Sequence, residues 1–165
     1  MSDPDEAARD VLGEEAFRHL LARETSRATR YQDFFSICLV RPDVPEPTNS
    51  GAGEIQLAIA RKIAESLRFS DVVGRVQDGT AIILLHAAST DARRVAERIR
   101  TDIERVAFPG PAANSARRLT LSVGKVSFPR DGSTDKTLLS RAQANLHEAA
   151  RRGGNRVINA EDSAR

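Results

Sequence analysis

Residues 68–85 read RFSDVVGRVQDGTAIILL, and the fold turns on how that stretch is read. Two apolar runs, VVGRV and TAIILL, flank an Asp-Gly pair, Asp78 and Gly79. A two-residue turn signal between apolar runs is the strongest short-range mark of a β-hairpin. Hairpin tips of this kind often carry chemistry. This one offers a single carboxylate, Asp78, followed by Gly79 and Thr80, so catalytic chemistry lies elsewhere or has left the hairpin.

Outward from the hairpin, both flanks read as helices. On the N-terminal side Ile55, Ile59, Ile63 and Leu67 recur every four residues, giving a helix that ends near Arg68. On the C-terminal side Ser89 or Thr90 caps a helix whose stripe is Ala92, Val95, Ala96, Ile99, Ile103 and Val106. Farther out, residues 14–30 form a first helix through Ala16, Phe17, Leu20, Leu21 and Ala28. SICLV (36–40) reads as a short strand, and the Pro- and Gly-rich residues 41–53 read as a loop. After a second loop at 108–116, LTLSVGKVSF (119–128) alternates apolar and polar. Its phase shifts between Val123 and Val126, which points to a bulge at Gly124. Residues 133–135 open a fourth helix through Leu138, Leu139, Ala142, Leu146 and Ala149, with Gly153 at C′, and RVIN (156–159) gives a last strand. A strand, helix, hairpin, helix, strand core is an α+β sheet with helices packed on it, of the split-βαβ or palm type.

Composition narrows the partners. The 165 residues form one domain by the length prior, with a net charge of only +2 and 29% charged residues. That balance gives no broad nucleic-acid footprint. Twenty-two of the 25 bases are arginine, the residue suited to bidentate contacts with carboxylate, phosphate or a guanine edge. The one cysteine, Cys38, lies in the apolar run FFSICLV and reads as core; it leaves no internal disulfide and no thiolate metal cluster. No run of apolar residues is long enough to span a bilayer and the acidic N-terminus has no signal core, so a cytoplasmic location without membrane contact is expected. Residues 1–10 are expected to be a flexible acidic N-terminus, 11–160 the domain, and 161–165 a flexible tail.

Several stretches, in order, resemble the GGDEF domain, the diguanylate cyclase module of bacterial signalling. LTLSVGKVSFP followed by LLSRAQANLHEAARRGGNRV (138–157) is similar to the family's closing strand and its A-D-x-A-L-Y-x-A-K-x-x-G-R-N-R-V helix. VAERIR (95–100) looks like the AERIR helix, and RFSDVVGRV like the approach to the signature hairpin. The resemblance implies the family's ferredoxin-like core, a central and mostly antiparallel sheet flanked by helices. The signature pentapeptide falls on Gln77, Asp78, Gly79, Thr80 and Ala81, so its two acidic positions are Gly79 and Thr80. The family's other metal-binding Asp falls on Arg41, its guanine-gripping elements fall on VPEPTNSGAG (44–53), and its phosphate-contacting Lys and Arg fall on Ala150 and Gly154. The N-terminal loop has shrunk to VLGEEA (11–16). Phosphoryl transfer needs metal and positioning. The expectation is therefore a degenerate domain that is not an enzyme and needs no Mg²⁺, with Asp43 and Asp78 as the one rearranged metal pair to consider.

What the resemblance retains is RFSD, whose Arg-x-x-Asp spacing and offset resemble the family's inhibitory site for cyclic di-GMP. Arg68, Asp71 and Arg98 are its expected residues. A guanidinium can donate to guanine O6 and N7, and a carboxylate can accept from its N1 and N2 hydrogens. Taken alone, the same residues also fit a helix-end arginine and a strand-start aspartate. Two functions follow as expectations: a cyclic di-GMP receptor acting through a signalling partner protein, or a nucleotide-independent docking or homodimerisation module. His19, His86 and His147 lack ligand spacing and read as structural, and the arginines of helix three, Arg93, Arg94, Arg100 and Arg105, read as a solvated face.

Overall fold

Strand β1, Phe35–Pro42, is buried along nearly its whole length because helices cover both of its faces. Phe35, Ile37 and Leu39 join one core and Cys38 and Val40 the other, which explains an apolar run with no alternation. This computed structural model describes residues 10–44, 52–77, 79–110 and 112–163. Antiparallel β3 (Gly79–Leu85) and β6 (Leu121–Phe128) flank β1. Strand β2 (Val72–Val76) pairs with β3, and β7 (Arg156–Ile158) adds to β6 in parallel, giving the order β2-β3-β1-β6-β7. Helices α2 (Ala52–Glu65) and α3 (Ser89–Arg105) cover one face; α1 (Glu14–Tyr31) and α4 (Asp135–Arg151) cover the other. The architecture is the α+β one read from the sequence, a mostly antiparallel sheet flanked by helices.

Several local readings change. No bulge occurs at Gly124, since β1 and β6 pair without a slip from Phe35 opposite Phe128 to Pro42 opposite Leu121. The phase shift arises because Lys125 occupies an inward position on one covered face while Val126 and Phe128 turn to the other. Gly124 serves packing instead: a Cβ there would lie 2.2 Å from the Ala142 carbonyl oxygen and 2.4 Å from Leu146 N, so its absence lets α4 approach. The N-cap of α3 is Ala88, because Ser89 already lies inside the helix and its Oγ receives the buried Lys125 Nζ at 2.6 Å. The loop expected at 108–116 contains a small hairpin, β4 (Ala107–Pro109) with β5 (Ala116–Arg118). Helix α2 starts at Ala52 and ends at Glu65, and β1 runs on through Pro42; residues 45–51 of the expected loop lie outside the described residues. Residues 161–163, expected in a flexible tail, belong to a single helical turn, α5 (Ala160–Ser163). Thr134 caps α4 as its Oγ1 accepts from Thr137 N, and Gly153, with φ of 105°, takes the left-handed position just past the helix end.

Candidate functional site

The three residues singled out by the Arg-x-x-Asp reading meet at the corner where α2 gives way to β2. Ser66 N and Leu67 N donate back to Ile63 O and Ala64 O, so the helix unwinds through a tightened turn. Arg68 to Asp71 then closes a second turn, with Asp71 N donating to Arg68 O at 3.0 Å. The Asp71 carboxylate folds back over it: Oδ2 accepts from Arg68 N at 3.1 Å and lies 3.7 Å from Arg68 Nε. The two side chains differ sharply in exposure, 64% for Arg68 against 3% for Asp71. From α3, Arg98 Nη2 donates to Ser66 O at 2.9 Å, tying that helix to the exit of α2.

One atom of this corner is unaccounted for. Asp71 Oδ1 is buried and accepts no hydrogen bond from the described residues. An unsatisfied buried acceptor is destabilising by about 1–3 kcal/mol, and native proteins rarely keep one without a reason. The exposed turn residues around it, Arg68, Phe69 and Ser70, leave room for side chains to rearrange about an incoming donor.

The other end of the hairpin is differently built. Asp78 lies outside the described residues. A Cβ at Gly79 would fall 2.2 Å from the Val40 carbonyl oxygen, and Thr80 is buried in register with Val40 and Arg75. Arg41 stands opposite Ser122. Asp43 is a clasp: its carboxylate accepts from Thr120 Oγ1 at 2.8 Å, Ser122 Oγ at 2.6 Å and Asn155 N at 2.8 Å. It thereby joins the end of β1 to the start of β6 and to the turn after α4. Gly154, with φ of 73°, lets that turn close on it, since a Cβ there would lie 2.7 Å from Asp43 Cγ. Both Asp43 oxygens are thus occupied, and among the described residues no three His, Cys, Asp or Glu side chains converge to hold a metal.

Other sequence readings divide. Cys38 is fully buried, and burial pushes its thiol up to about 12. His86 pairs with Asp33 Oδ1 at 3.1 Å and sits edge-on to Phe34, a structural role, whereas His147 is exposed on α4. Arg93 and Arg100 are not simply solvated. Arg93 pairs with Asp162 at 2.9 Å; Arg100 pairs with Glu97 at 2.9 Å and donates to Asn155 Oδ1 at 2.6 Å. With Arg152 and Arg156 they line a cleft of about 310 Å³, assembled from α3, the turn after α4 and β7 and therefore invisible to sequence spacing. Sequence reading also passed over Phe69, whose only signal was its place inside RFSD. No helix among the described residues is long and apolar enough to cross a membrane.

Comparison with known proteins places the chain in a family. The profile of the family described as "Diguanylate cyclase, GGDEF domain" matches residues 12–156. Diguanylate cyclase DosC of Escherichia coli is 32% identical over 164 residues, covering 92% of this chain and 35% of DosC. Response regulator PleD of Caulobacter vibrioides is 28% identical over 138 residues, covering 80% of this chain and 30% of PleD. The chain therefore spans about a third of the length of these relatives. Among solved structures, the GGDEF domain of PA1120 from Pseudomonas aeruginosa superposes with a TM-score of 0.81 at 22% identity, over 91% of this chain and 96% of that one. Diguanylate cyclase SiaD of the same organism, in complex with its activator SiaC, gives 0.80 at 26% identity, over 93% and 62%. The GGDEF domain of DgcB from Caulobacter crescentus, in complex with c-di-GMP, gives 0.73 at 18%, over 97% and 99%.

These matches correct one expectation, that the chain is not an enzyme. The matched family is described as diguanylate cyclase and DosC bears that activity in its name, whereas the expectation rested on the residues at 41, 44–53, 79, 80, 150 and 154. In fold, in the order of its motifs and in its relatives, the chain belongs to the GGDEF family.

Proposed function

We propose that the chain binds cyclic di-GMP at the corner formed by Arg68, Asp71 and Arg98, and passes the bound state to a signalling partner protein. The observation that carries the reading is the buried, unpartnered Asp71 Oδ1 beside an exposed guanidinium. Guanine N1 and N2 hydrogens supply the donors that Oδ1 lacks, while guanine O6 and N7 accept from Arg68. Arg98, fixed through one nitrogen to Ser66 O, keeps further donors for the same ligand. Support also comes from DgcB, a fold neighbour whose GGDEF domain is seen in complex with c-di-GMP, and from SiaD, seen with an activator protein.

Thermal unfolding with and without ligand tests the reading. At ligand concentrations about 100-fold above Kd, binding stabilises the folded state by about 2.7 kcal/mol, a rise in Tm of roughly 5–10 °C for a domain of this size. Arg68→Ala, which removes only an exposed side chain, abolishes the rise. A wild-type Tm indifferent to saturating cyclic di-GMP contradicts the reading and leaves a nucleotide-independent docking module, whose partner capture Arg68→Ala would not alter. GTP turnover with Mg²⁺ belongs in the same series, because the relatives are named diguanylate cyclases.

A further inference from the structure

We infer that Phe69 is the stacking surface of this corner, the residue that covers one face of the bound guanine base. The inference rests on the reading of the corner given above and adds a residue that its charged groups do not supply. Phe69 is 94% exposed, more than Tyr31 at 68% or Phe34 at 42%. Phe34 at least rests edge-on against His86 with centroids 6.5 Å apart, whereas among the described residues no ring contact involves Phe69.

Its exposure is imposed by the turn. Asp71 N to Arg68 O closes the loop from below and Asp71 Oδ2 to Arg68 N braces it, so the two intervening residues, Phe69 and Ser70, have nowhere to go but outward. A ring in water is unfavourable, and a turn that needed only solubility would carry a polar residue there. The position has a chemical sense beside its neighbours. One residue before the ring stands an exposed guanidinium, and two residues after it stands a carboxylate with an unused oxygen. A planar heterocycle lying on the ring has an edge that Arg68 can meet directly and that meets the buried Asp71 oxygen once the exposed turn side chains shift. The edge must offer adjacent N–H donors to the carboxylate and acceptors to the arginine, which guanine does. Base stacking on an aromatic side chain is tolerant of base identity, so Phe69 supplies affinity while Arg68 and Asp71 supply the choice of guanine.

Calorimetric titration of cyclic di-GMP into wild type, Phe69→Ala, Phe69→Leu and Phe69→Trp tests this. Loss of one base stack weakens binding about 5- to 150-fold, expected for both Phe69→Ala and Phe69→Leu, since leucine is apolar but has no π-face. Phe69→Trp is expected to bind at least as tightly as wild type. The chain has no tryptophan, so indole fluorescence in that variant reports position 69 alone, and ligand is expected to quench it. Unchanged affinity in Phe69→Ala, with binding still lost in Arg68→Ala, overturns the stacking role and leaves the charged site standing. No binding by wild type overturns both.

Discussion

Replacing Lys125 by methionine asks what a buried cation does in the middle of this sheet. The side chain is fully buried on β6, and Nζ donates to Ser89 O at 3.0 Å and Ser89 Oγ at 2.6 Å. Both acceptors are neutral. Burial therefore pushes the Lys125 ammonium down from its ordinary 10.5, and opposite it in the β1 register lies Cys38, whose thiol burial pushes up to about 12 from 9.0. The two groups act on stability with opposite signs. Between the lowered Lys125 value and 10.5 the unfolded chain holds more protons at lysine than the folded one, so stability rises with pH. Between 9.0 and about 12 the folded chain keeps its thiol proton while the unfolded one loses it, so stability falls. By pH 10.5 the Cys38 loss alone amounts to about 2 kcal/mol. In wild type the rise at Lys125 opposes that fall; Lys125→Met removes the rising component. At pH 7.5 the methionine variant, close in shape and free of the desolvated charge, is expected within about 1 kcal/mol of wild type or more stable. At pH 10.5 it is expected to have lost about 2 kcal/mol relative to its own value at pH 7.5, and adding Cys38→Ala is expected to abolish that loss. Urea unfolding followed by far-ultraviolet circular dichroism reads all three. A variant destabilised by more than about 3 kcal/mol at pH 7.5 refutes the reasoning, because it makes the ammonium's hydrogen bonds worth more than its desolvation.

Further expectations concern the packing and the clasp. Gly124→Ala places a Cβ against the α4 backbone and is expected to destabilise by about 3 kcal/mol or more, read as a lowered urea midpoint; a loss below about 1 kcal/mol contradicts the close approach. Asp43→Ala strips three donors of a charged acceptor and is expected to lower stability by about 3–5 kcal/mol, with Asp43→Asn intermediate by thermal unfolding. Hydrogen bonds from Arg151 and Arg152 hold the Glu148 carboxyl at about 2, so its stabilising effect is present above its ordinary 4.5 and lost as pH falls through about 2. Glu148→Gln is accordingly expected to unfold more readily than wild type at pH 6 and equally at pH 2 or below; a variant indistinguishable at both removes Glu148 from the acid response.

The sheet and its helices were legible because their periodicities are physical consequences of burial: the four-residue repeat of Ile55 to Leu67 is the buried stripe of α2 and of the turn that ends it, and the unbroken run of β1 is a strand covered on both faces. What failed did so where tertiary context overrode local pattern. The phase change around Gly124 mimics a bulge when only one face is assumed buried, and Ser89 looks like a cap until Lys125 is seen to claim its hydroxyl. The corner of Arg68 and Asp71 was legible through its motif, but the unpartnered Oδ1 and the exposure of Phe69 are properties of the folded turn. The arginine cleft brings residues 93, 100, 152 and 156 together from α3, the turn after α4 and β7, which no spacing announces. The expectation of a non-enzyme rested on departures at 41, 44–53, 79, 80, 150 and 154, a set of local positions, whereas the family likeness runs over residues 12–156.

The central claim, that the turn after α2 receives cyclic di-GMP, is tested most directly by calorimetric titration of that dinucleotide into wild type, Arg68→Ala and Asp71→Asn. Asp71→Asn keeps the shape of the carboxylate while removing its charge, so a fold defect does not masquerade as lost affinity. Saturable wild-type binding that is lost in Arg68→Ala and weakened at least tenfold in Asp71→Asn is the predicted result, the cost of about 1.4 kcal/mol or more expected for a charge-assisted hydrogen bond. A flat wild-type trace, or binding that both variants retain unchanged, contradicts it.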